Sequence, residues 1–431
     1  MSKIFKNLSD RINAAALLLI KVLRGLLEID NWKRMESCDV LMLCHDVDRG
    51  VVVDGQLYSQ IIDPVRLQLI QLGFVVNVMS HPYSTVSKDK IYGHTYSFNR
   101  KYVLMKLQER CHWTRLPGMR TRTVSHQHLF WLKLLKKLRC KTVVLIGAPP
   151  ALCQAASELG LSVIELFHGY GYHQIPWGYD RREIKELPTH FISFDLTSLK
   201  TFQNFFDSGP KTYFSCRPNV DQEVGLTQHS TFDTERAQVG YGRRVSVLLS
   251  MGWMEFISGA FLEISKDRIW PNIIDEIQEI AADEVQWYIR PHPMMLRDKK
   301  FRKHIEEIRL KISSMDNCCS IEESTISLPN LLEKIDVHLT FFSEIAFEAA
   351  SAGVPTLFLS DQVGEQGELH GRFIELFKSG LAQVLVGDSN TALSWIRTAE
   401  RVNSAHFSKS APTVIEILQN EIIPSEADPL Q

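Results

Sequence analysis

The chain has 431 residues, a formal net charge of −2, 45% hydrophobic residues and 23% charged residues. This length exceeds one typical domain and predicts two, and the near-neutral charge argues against a general nucleic-acid binder. The eight cysteines include no Cys-x-x-Cys pair, which excludes zinc and redox motifs of that spacing and favours reduced thiols in a cytoplasmic protein.

Residues 1–35 predict an N-terminal amphipathic helix. Lys21 and Arg24 interrupt its apolar run well before it could span a bilayer, and no signal-peptide cleavage pattern follows. Two placements stay open. The helix packs on the first domain, or residues 3–28 lie on an anionic membrane at the inner face of the plasma membrane.

Residues 36–225 predict an N-terminal domain in which short apolar strands alternate with helices, the pattern of a parallel sheet. The first strand is predicted at Cys38–His45, and a helix at Ile61–Gly73. The remaining predicted elements of this domain are strands 74–79, 141–147, 161–167 and 190–194 and a helix at 150–160.

A polar, turn-rich stretch at 217–243 marks the boundary before a C-terminal domain at 226–431. There the strand and helix pattern starts again. Strands are predicted at 245–250, 285–290, 337–342 and 354–360, and helices near 270–281, 299–312, 328–334 and 343–352. A last helix at 410–423 could pack back on the N-terminal domain, and the final eight residues are predicted to be frayed.

The segment Glu165–Tyr179 is the first candidate site. His168 falls just beyond a predicted strand end, and the carboxylate of Glu165 could act as a general acid or base. The residues expected to bind an acceptor sugar follow in one loop: Tyr170, Tyr172, His173, Trp177 and Tyr179. The alternative interpretation is an aromatic loop that fills a domain interface.

Arg290-Pro-His-Pro293 is the second candidate site and also follows a predicted strand. The prolines restrict the backbone, and Arg290 or His292 could donate to a phosphate oxygen. Ligands of open α/β sheets bind outside the carboxyl ends of the strands. His168 and His292 therefore predict a cleft between two domains.

Ser343 follows the predicted strand 337–342 and begins a predicted helix that Gly353 ends. A helix start can bind a phosphate. Glu344 would repel a phosphate, so we expect it to accept from a sugar hydroxyl. The alternative is a well-capped helix without a ligand.

P-loop, G-x-G-x-x-G, G-x-S-x-G and H-E-x-x-H patterns are absent from the sequence. Asp46 and Asp48 could form an acidic pair for a metal ion. No neighbouring residues in the sequence complete such a site, and no metal is predicted.

In this order and spacing, the segments resemble those of glycosyltransferases with the GT-B fold. More narrowly, they are similar to the retaining β-Kdo transferases that use CMP-β-Kdo in capsule, lipopolysaccharide and O-antigen biosynthesis. The resemblance covers residues 38 to 390. In the N-terminal half it rests on the early segments Asp54–Tyr58 and Asp63-Pro64 and on Glu165, His168, Gly169, Gly178 and Tyr179. In the C-terminal half it rests on Arg290 and His292 and on Thr340, Ser343, Gly353 and Pro355. Related sialyl- and polysialyltransferases carry paired serines where this chain has Ser343-Glu344.

The resemblance implies an α/β fold of two Rossmann-like domains whose parallel sheets face each other across a cleft. It implies transfer of Kdo, or a related acidic sugar, from a CMP-activated donor to a bacterial surface-glycan acceptor through a carboxylate–sugar adduct. No cofactor and no metal are implied. The implied partners are the nucleotide sugar, a glycan or lipid-linked glycan acceptor and other glycan-assembly proteins.

The resemblance also implies roles for individual residues. The donor site would contain Arg290, His292, Thr340, Ser343 and Glu344. Glu165, as the acid/base, and His168 would be catalytic. No motif marks the nucleophile, for which Asp221 and Asp233 are candidates.

Three other functions stay open. The first is a transferase for another nucleotide-activated sugar or a polyol phosphate, and the second is a non-catalytic protein that binds sugar nucleotides in glycan assembly. The third, a sugar-nucleotide 2-epimerase, is disfavoured because Phe342-Ser-Glu stands where those enzymes carry Ser-Gly-Gly before paired glutamates.

Overall fold

A computed structural model of the chain contains two halves, each built on a six-stranded parallel sheet. The structure describes residues 22, 23, 25–27, 29–45, 48, 49, 51–53, 55–82, 90–113, 125–207, 209–215, 244–252, 254–257, 260–263, 270–297, 299–402 and 411–422. All structural statements below concern these residues.

The N-terminal half contains a sheet and one short hairpin. Its described strands are β1 (Val40–Cys44), β2 (Val51–Val53), β3 (Gln56–Tyr58), β4 (Val76–Ser80), β5 (Thr142–Leu145), β6 (Ser162–Leu166), β7 (His190–Ser193) and β8 (Lys211–Phe214). Its described α-helices are Ile62–Gln71, Asn99–Trp113, His126–Leu138, Pro150–Glu158 and Leu196–Phe205. All five residues of β1 are buried, as expected for a parallel strand covered on both faces.

The C-terminal half repeats this organisation. Its described strands are β9 (Val245–Ser250), β10 (Met254–Ile257), β11 (Ala260–Glu263), β12 (Val285–Arg290), β13 (Cys318–Cys319), β14 (Val337–Thr340), β15 (Thr356–Phe358) and β16 (Ala382–Val384). Its described α-helices are Asn272–Ala281, Pro293–Arg297, Arg302–Ser313, Ile321–Ser324, Leu328–Leu332, Ile345–Ser351, His370–Lys378, Ser389–Thr398 and Val414–Ile417.

The order of the strands defines where each sheet can bind a ligand. The first sheet has the order β4-β1-β5-β6-β7-β8, and the second has the order β13-β12-β9-β14-β15-β16. The second is the Rossmann order, with the reversal of strand order between β9 and β14. In the first sheet the corresponding reversal lies between β1 and β5. The predicted fold of two Rossmann-like domains is thus confirmed.

One apolar core crosses from one half to the other. It contains Phe167 and Phe191 of the N-terminal half together with Phe347 and Phe373 of the C-terminal half. The helix Val414–Ile417 belongs to the same core and packs against Ile62–Gln71. The end of the described chain therefore returns to the N-terminal half.

Some predicted elements have different bounds in the structure, and others lie outside the described residues. The helix predicted from Ser343 begins at Ile345, and the helix predicted at 299–312 is Arg302–Ser313. Asn99–Trp113 and His126–Leu138 are helices for which no element was predicted. Residues 1–21, 217–243 and 424–431, which carry other predictions, lie outside the described residues.

Every helix within the described ranges is too short or too polar to cross a bilayer.

Truncation of Ile417, a buried side chain in the shared core, should weaken the contact between the C-terminal helix and the N-terminal half. We expect Ile417→Ala to lower the free energy of unfolding by about 2–4 kcal/mol. Leu310→Ala, at a side chain that is 74% exposed, should change it by less than about 0.5 kcal/mol. Equal effects in urea unfolding would contradict this packing.

Candidate active site

Three neighbouring strands end at the same level in the C-terminal sheet. Ser250, the last residue of β9, pairs in register with Arg290 of β12 and with Thr340 of β14. The reversal of strand order lies between β9 and β14, which is where ligands bind in such sheets. His292 and Ser343 therefore both follow strand ends at this edge.

Arg290 has a different contact from the predicted one. Its Nη1 donates to the carbonyl oxygens of Ser324 and Ile326, at 2.8 and 2.7 Å. Burial lowers the pKa of the guanidinium to about 10. Arg290 thus fastens the segment after helix Ile321–Ser324 to β12. His292 is half-buried, and its carbonyl accepts from the Met295 N–H at 2.8 Å.

Thr340 and Ser343 shape the turn after β14. The Thr340 hydroxyl donates to the Ser250 carbonyl at 3.0 Å and accepts from the Ser343 N–H at 3.0 Å. Because the Thr340 side chain is buried and holds both partners, it positions the turn. The Ser343 hydroxyl accepts from the Ile345 N–H at 3.2 Å, two residues before the helix begins, and the N-cap position itself is held by Glu344 rather than by the predicted Ser343.

Glu344 bridges the two halves. Its Oε1 forms an ion pair with the Arg372 guanidinium, and its Oε2 accepts from the Tyr170 N–H at 3.3 Å. Burial lowers the pKa of Arg372, while Tyr172 and Asp195 act in the opposite direction. These contacts stabilise the domain arrangement and occupy the carboxylate that was expected to accept from a sugar.

Glu165 lies in a closed network behind the edge of the N-terminal sheet. Its carboxylate is fully buried and accepts from the Gly147 N–H at 3.0 Å, the Ala148 N–H at 2.8 Å and the Tyr179 hydroxyl at 2.5 Å. Burial raises its pKa to about 6, although these three hydrogen bonds act to lower it. Arg182 completes the network, since its Nη1 donates to the Ala148 carbonyl at 2.8 Å.

This geometry gives Glu165 a positioning role. Both carboxylate oxygens are occupied by groups that fix the loop after β5 and the end of the aromatic loop. Gly147 lies in the loop after β5 and adopts φ +76°. A Cβ at this position would meet no atom of the described residues within 4 Å. The direct acid/base role predicted for Glu165 therefore lacks an accessible oxygen in this arrangement.

His168 and Trp177 form a stacked pair in the aromatic loop, in which His168 is half-buried and Trp177 is exposed. Their rings are stacked with centroids 5.5 Å apart, and the Tyr172 hydroxyl lies 3.4 Å from His168 Nδ1. Trp177 is 45% exposed and adopts φ +54°, a strained conformation for a bulky residue. Such strain is frequent at functional sites, and an exposed indole offers a face to a sugar ring.

The other predicted acceptor residues have packing roles. Tyr170 and Tyr179 are buried, and the Tyr170 ring stacks on Phe347 of the C-terminal half with centroids 5.1 Å apart. The His173 ring lies against Gly371, and burial lowers its pKa. For these residues the structure agrees with the alternative interpretation of a loop that fills the domain interface.

Asp195 and Ser198 hold the aromatic loop from the N-terminal side. Asp195 Oδ2 accepts from the Gly171 N–H at 3.0 Å and from the Ser198 hydroxyl at 2.6 Å, and Ser198 Oγ accepts from the Tyr172 N–H at 2.9 Å. Burial raises the pKa of Asp195. Neither residue was among the predicted site residues, although Asp195 before helix Leu196–Phe205 is a recognisable N-cap.

Two further histidines lie at the edge of the N-terminal sheet. His45 follows β1, and His81 follows β4. Their ring centroids are 5.4 Å apart, and His81 Nε2 lies 2.9 Å from the Ile146 carbonyl. Sequence spacing gave no sign of this pair because the parallel pairing of β1 with β4 creates it.

The nucleophile candidates Asp221 and Asp233 lie outside the described residues, as does Asp46 of the acidic pair. Among the residues described, no group of three or more His, Cys, Asp and Glu side chains is arranged to hold a metal ion.

No protein-family model matches the chain, and no curated protein matches it in sequence. Solved structures similar to it include UDP-GlcNAc 2-epimerase from Methanocaldococcus jannaschii, with 13% identity over 86% of this chain and 96% of that chain and a TM-score of 0.49. The wall teichoic acid polymerase TagF has 12% identity over 92% of this chain and 88% of its own, with a TM-score of 0.48. MurG from Acinetobacter baumannii has 12% identity over 86% and 95%, with a TM-score of 0.46. The fold assignment itself rests on the strand order of this chain.

The raised pKa of Glu165 predicts a pH-dependent contribution to stability. Its folded-state value of about 6 lies above the ordinary 4.5, so its stabilising effect is full below pH 4.5 and is lost as the pH rises through 6. As the pH rises from below 4.5 to above 6, we expect the free energy of unfolding of the wild type to fall by about 2 kcal/mol more than that of Glu165→Gln. Urea unfolding of both proteins at several pH values measures this difference, and parallel pH profiles would contradict the assignment.

Two glycines in the same backbone conformation test the contact between the halves. Gly171 has φ +67°, and a Cβ there would lie 2.3 Å from Arg372 Cγ, whereas Gly178 has φ +69° with no atom within 4 Å. Gly178→Ala should cost about 1–2 kcal/mol of backbone strain. Gly171→Ala should cost about 1–3 kcal/mol more because Arg372 must move. If both variants unfold at the same urea concentration, the close approach of Gly171 to Arg372 is contradicted.

Proposed function

We propose that this chain is a glycosyltransferase that transfers Kdo, or a related acidic sugar, from a CMP-activated donor to a bacterial surface-glycan acceptor. One observation carries the proposal. Arg290, Ser250 and Thr340 end neighbouring strands in register, at the place where the strand order of the C-terminal sheet reverses. The Arg-x-His-Pro and Thr-x-x-Ser segments thereby reach one ligand-binding edge, in agreement with the resemblance drawn from sequence.

In this proposal the donor phosphate lies between His292 and Ser343. The imidazole donates to a phosphate oxygen, and the Ser343 hydroxyl, which already accepts from the Ile345 N–H, has its proton to donate. Both groups would stabilise the charge that develops on the departing phosphate. Arg290 and Thr340 act indirectly, through the loop and turn that they hold.

The acceptor would bind at the N-terminal edge. Trp177 supplies an exposed ring for stacking, and His168 lies against it. In the retaining course, a carboxylate attacks the anomeric carbon as CMP departs with the bonding electron pair. The acceptor hydroxyl then displaces that carboxylate and gives its proton to His168. Asp221 and Asp233 remain the proposed nucleophiles. The reaction would take place in the cytoplasm, at the inner face of the plasma membrane.

Nucleotide binding tests the donor assignment. At 100 times its Kd, CMP should stabilise the folded chain by about 2.7 kcal/mol and raise the melting temperature by several degrees. UDP and CDP should do so less, and His292→Ala should abolish the shift. His94→Ala, which removes an exposed imidazole elsewhere in the chain, is the matched control and should keep the shift.

A larger shift of the melting temperature with UDP or CDP than with CMP would overturn the CMP assignment. It would still agree with an enzyme that uses another nucleotide sugar. A non-catalytic protein that only binds the nucleotide sugar would keep its cellular function in His168→Ala, which leaves the donor contacts intact, whereas a transferase would lose it.

A further inference from the structure

A groove with both apolar and basic walls lies next to the segment that follows Arg290 and His292, and neither of those two residues lines it. It has a volume of about 430 Å³ and is bordered by the helices Pro293–Arg297, Arg302–Ser313 and Ile321–Ser324. Residues 302, 305, 306 and 309 line it. They share one helical face because their spacing is three or four residues, so the groove follows that helix for about two turns.

The floor of the groove is apolar. Met295, Ile305 and Ile321 line it with side chains that are otherwise buried. Leu296, at the same wall, is 41% exposed. The three floor side chains are at most 5% exposed, so an occupant with a hydrocarbon portion would cover mainly the exposed part of Leu296.

The charges are divided unequally along the groove. Arg309 pairs with two carboxylates, since Nη1 lies 3.0 Å from Glu306 and Nη2 lies 3.0 Å from Glu322, and these three side chains together carry one net negative charge. Lys299 and Arg302 are exposed, and none of the described acidic residues lies within ion-pair distance of them. The groove thus has a cationic end next to Leu296.

We infer that this groove binds an anionic phospholipid of a membrane surface, with the phosphate at Lys299 and Arg302 and hydrocarbon against the exposed side chain of Leu296. The surrounding sequence 297–303 has five basic residues and one acidic residue in a chain with a net charge of −2. Clusters of this density are attracted to anionic leaflets. A free phosphate would leave Leu296 exposed to water, and a neutral lipid would leave the charges of Lys299 and Arg302 uncompensated.

Co-sedimentation of the full chain with lipid vesicles at physiological salt tests this inference. We expect binding to vesicles of about 30% phosphatidylglycerol in phosphatidylcholine and none to pure phosphatidylcholine. The double variant Lys299→Glu, Arg302→Glu should bind at least about tenfold more weakly than the double variant Lys300→Glu, Lys303→Glu. The two variants carry the same net charge and lie in the same segment, and Lys300 and Lys303 do not line the groove.

Leu296→Ser should weaken binding about threefold or more if hydrocarbon enters the groove. Equal loss in the two double variants, or unchanged binding in Leu296→Ser, would overturn the groove in favour of diffuse surface charge. Failure of wild type to bind the anionic vesicles would overturn it outright. Complete release by inorganic phosphate, but not by chloride at the same ionic strength, would overturn the lipid in favour of a free anion. Melting curves of all variants establish that each is folded.

Discussion

The ion pair between Glu344 and Arg372 lies where the two halves meet, and the arrangement of the candidate site depends on it. Glu344 pairs with Arg372 inside the C-terminal half and accepts from the Tyr170 N–H of the other half. Removal of either charged partner would leave the other partly desolvated without compensation, which is costly. The backbone of the aromatic loop can approach this ion pair because two of its residues are glycines. A Cβ at Gly169 would crowd Glu344, and a Cβ at Gly171 would crowd Arg372.

The consequence for the site is a closed interface with few accessible groups. The Tyr170 ring continues the apolar core from one half into the other through Phe347, and Asp195 fixes the loop backbone from behind. Within the aromatic loop, the stacked pair of His168 and Trp177 offers an exposed ring face to solvent. A sugar acceptor would therefore meet a small, rigid surface, which favours orientation over adaptable contact.

Two buried polar networks hold the sheet edges in place. Glu165 binds the loop after β5 from within the N-terminal half. In the C-terminal half, His338 lies between Ser250 Oγ at 2.7 Å and Thr356 Oγ1 at 3.0 Å, and burial lowers its pKa to about 3. His338 is thus neutral at physiological pH and links β9, β14 and β15 without a buried charge. Fully satisfied networks of this kind give a unique geometry at low cost.

The sequence alone determined the alternation of strands and helices, the two-domain architecture and the placement of His168 and His292 just beyond strand ends. These features are local, because a parallel strand buried on both faces appears as a continuous apolar run. The tertiary structure decided which polar atoms meet. It directed Arg290 toward Ser324 and Ile326, and it enclosed Glu165. It also paired Glu344 with Arg372 against a backbone N–H 174 residues away in sequence. Such partners are brought together only by packing of the two halves, and no local pattern of residues encodes them.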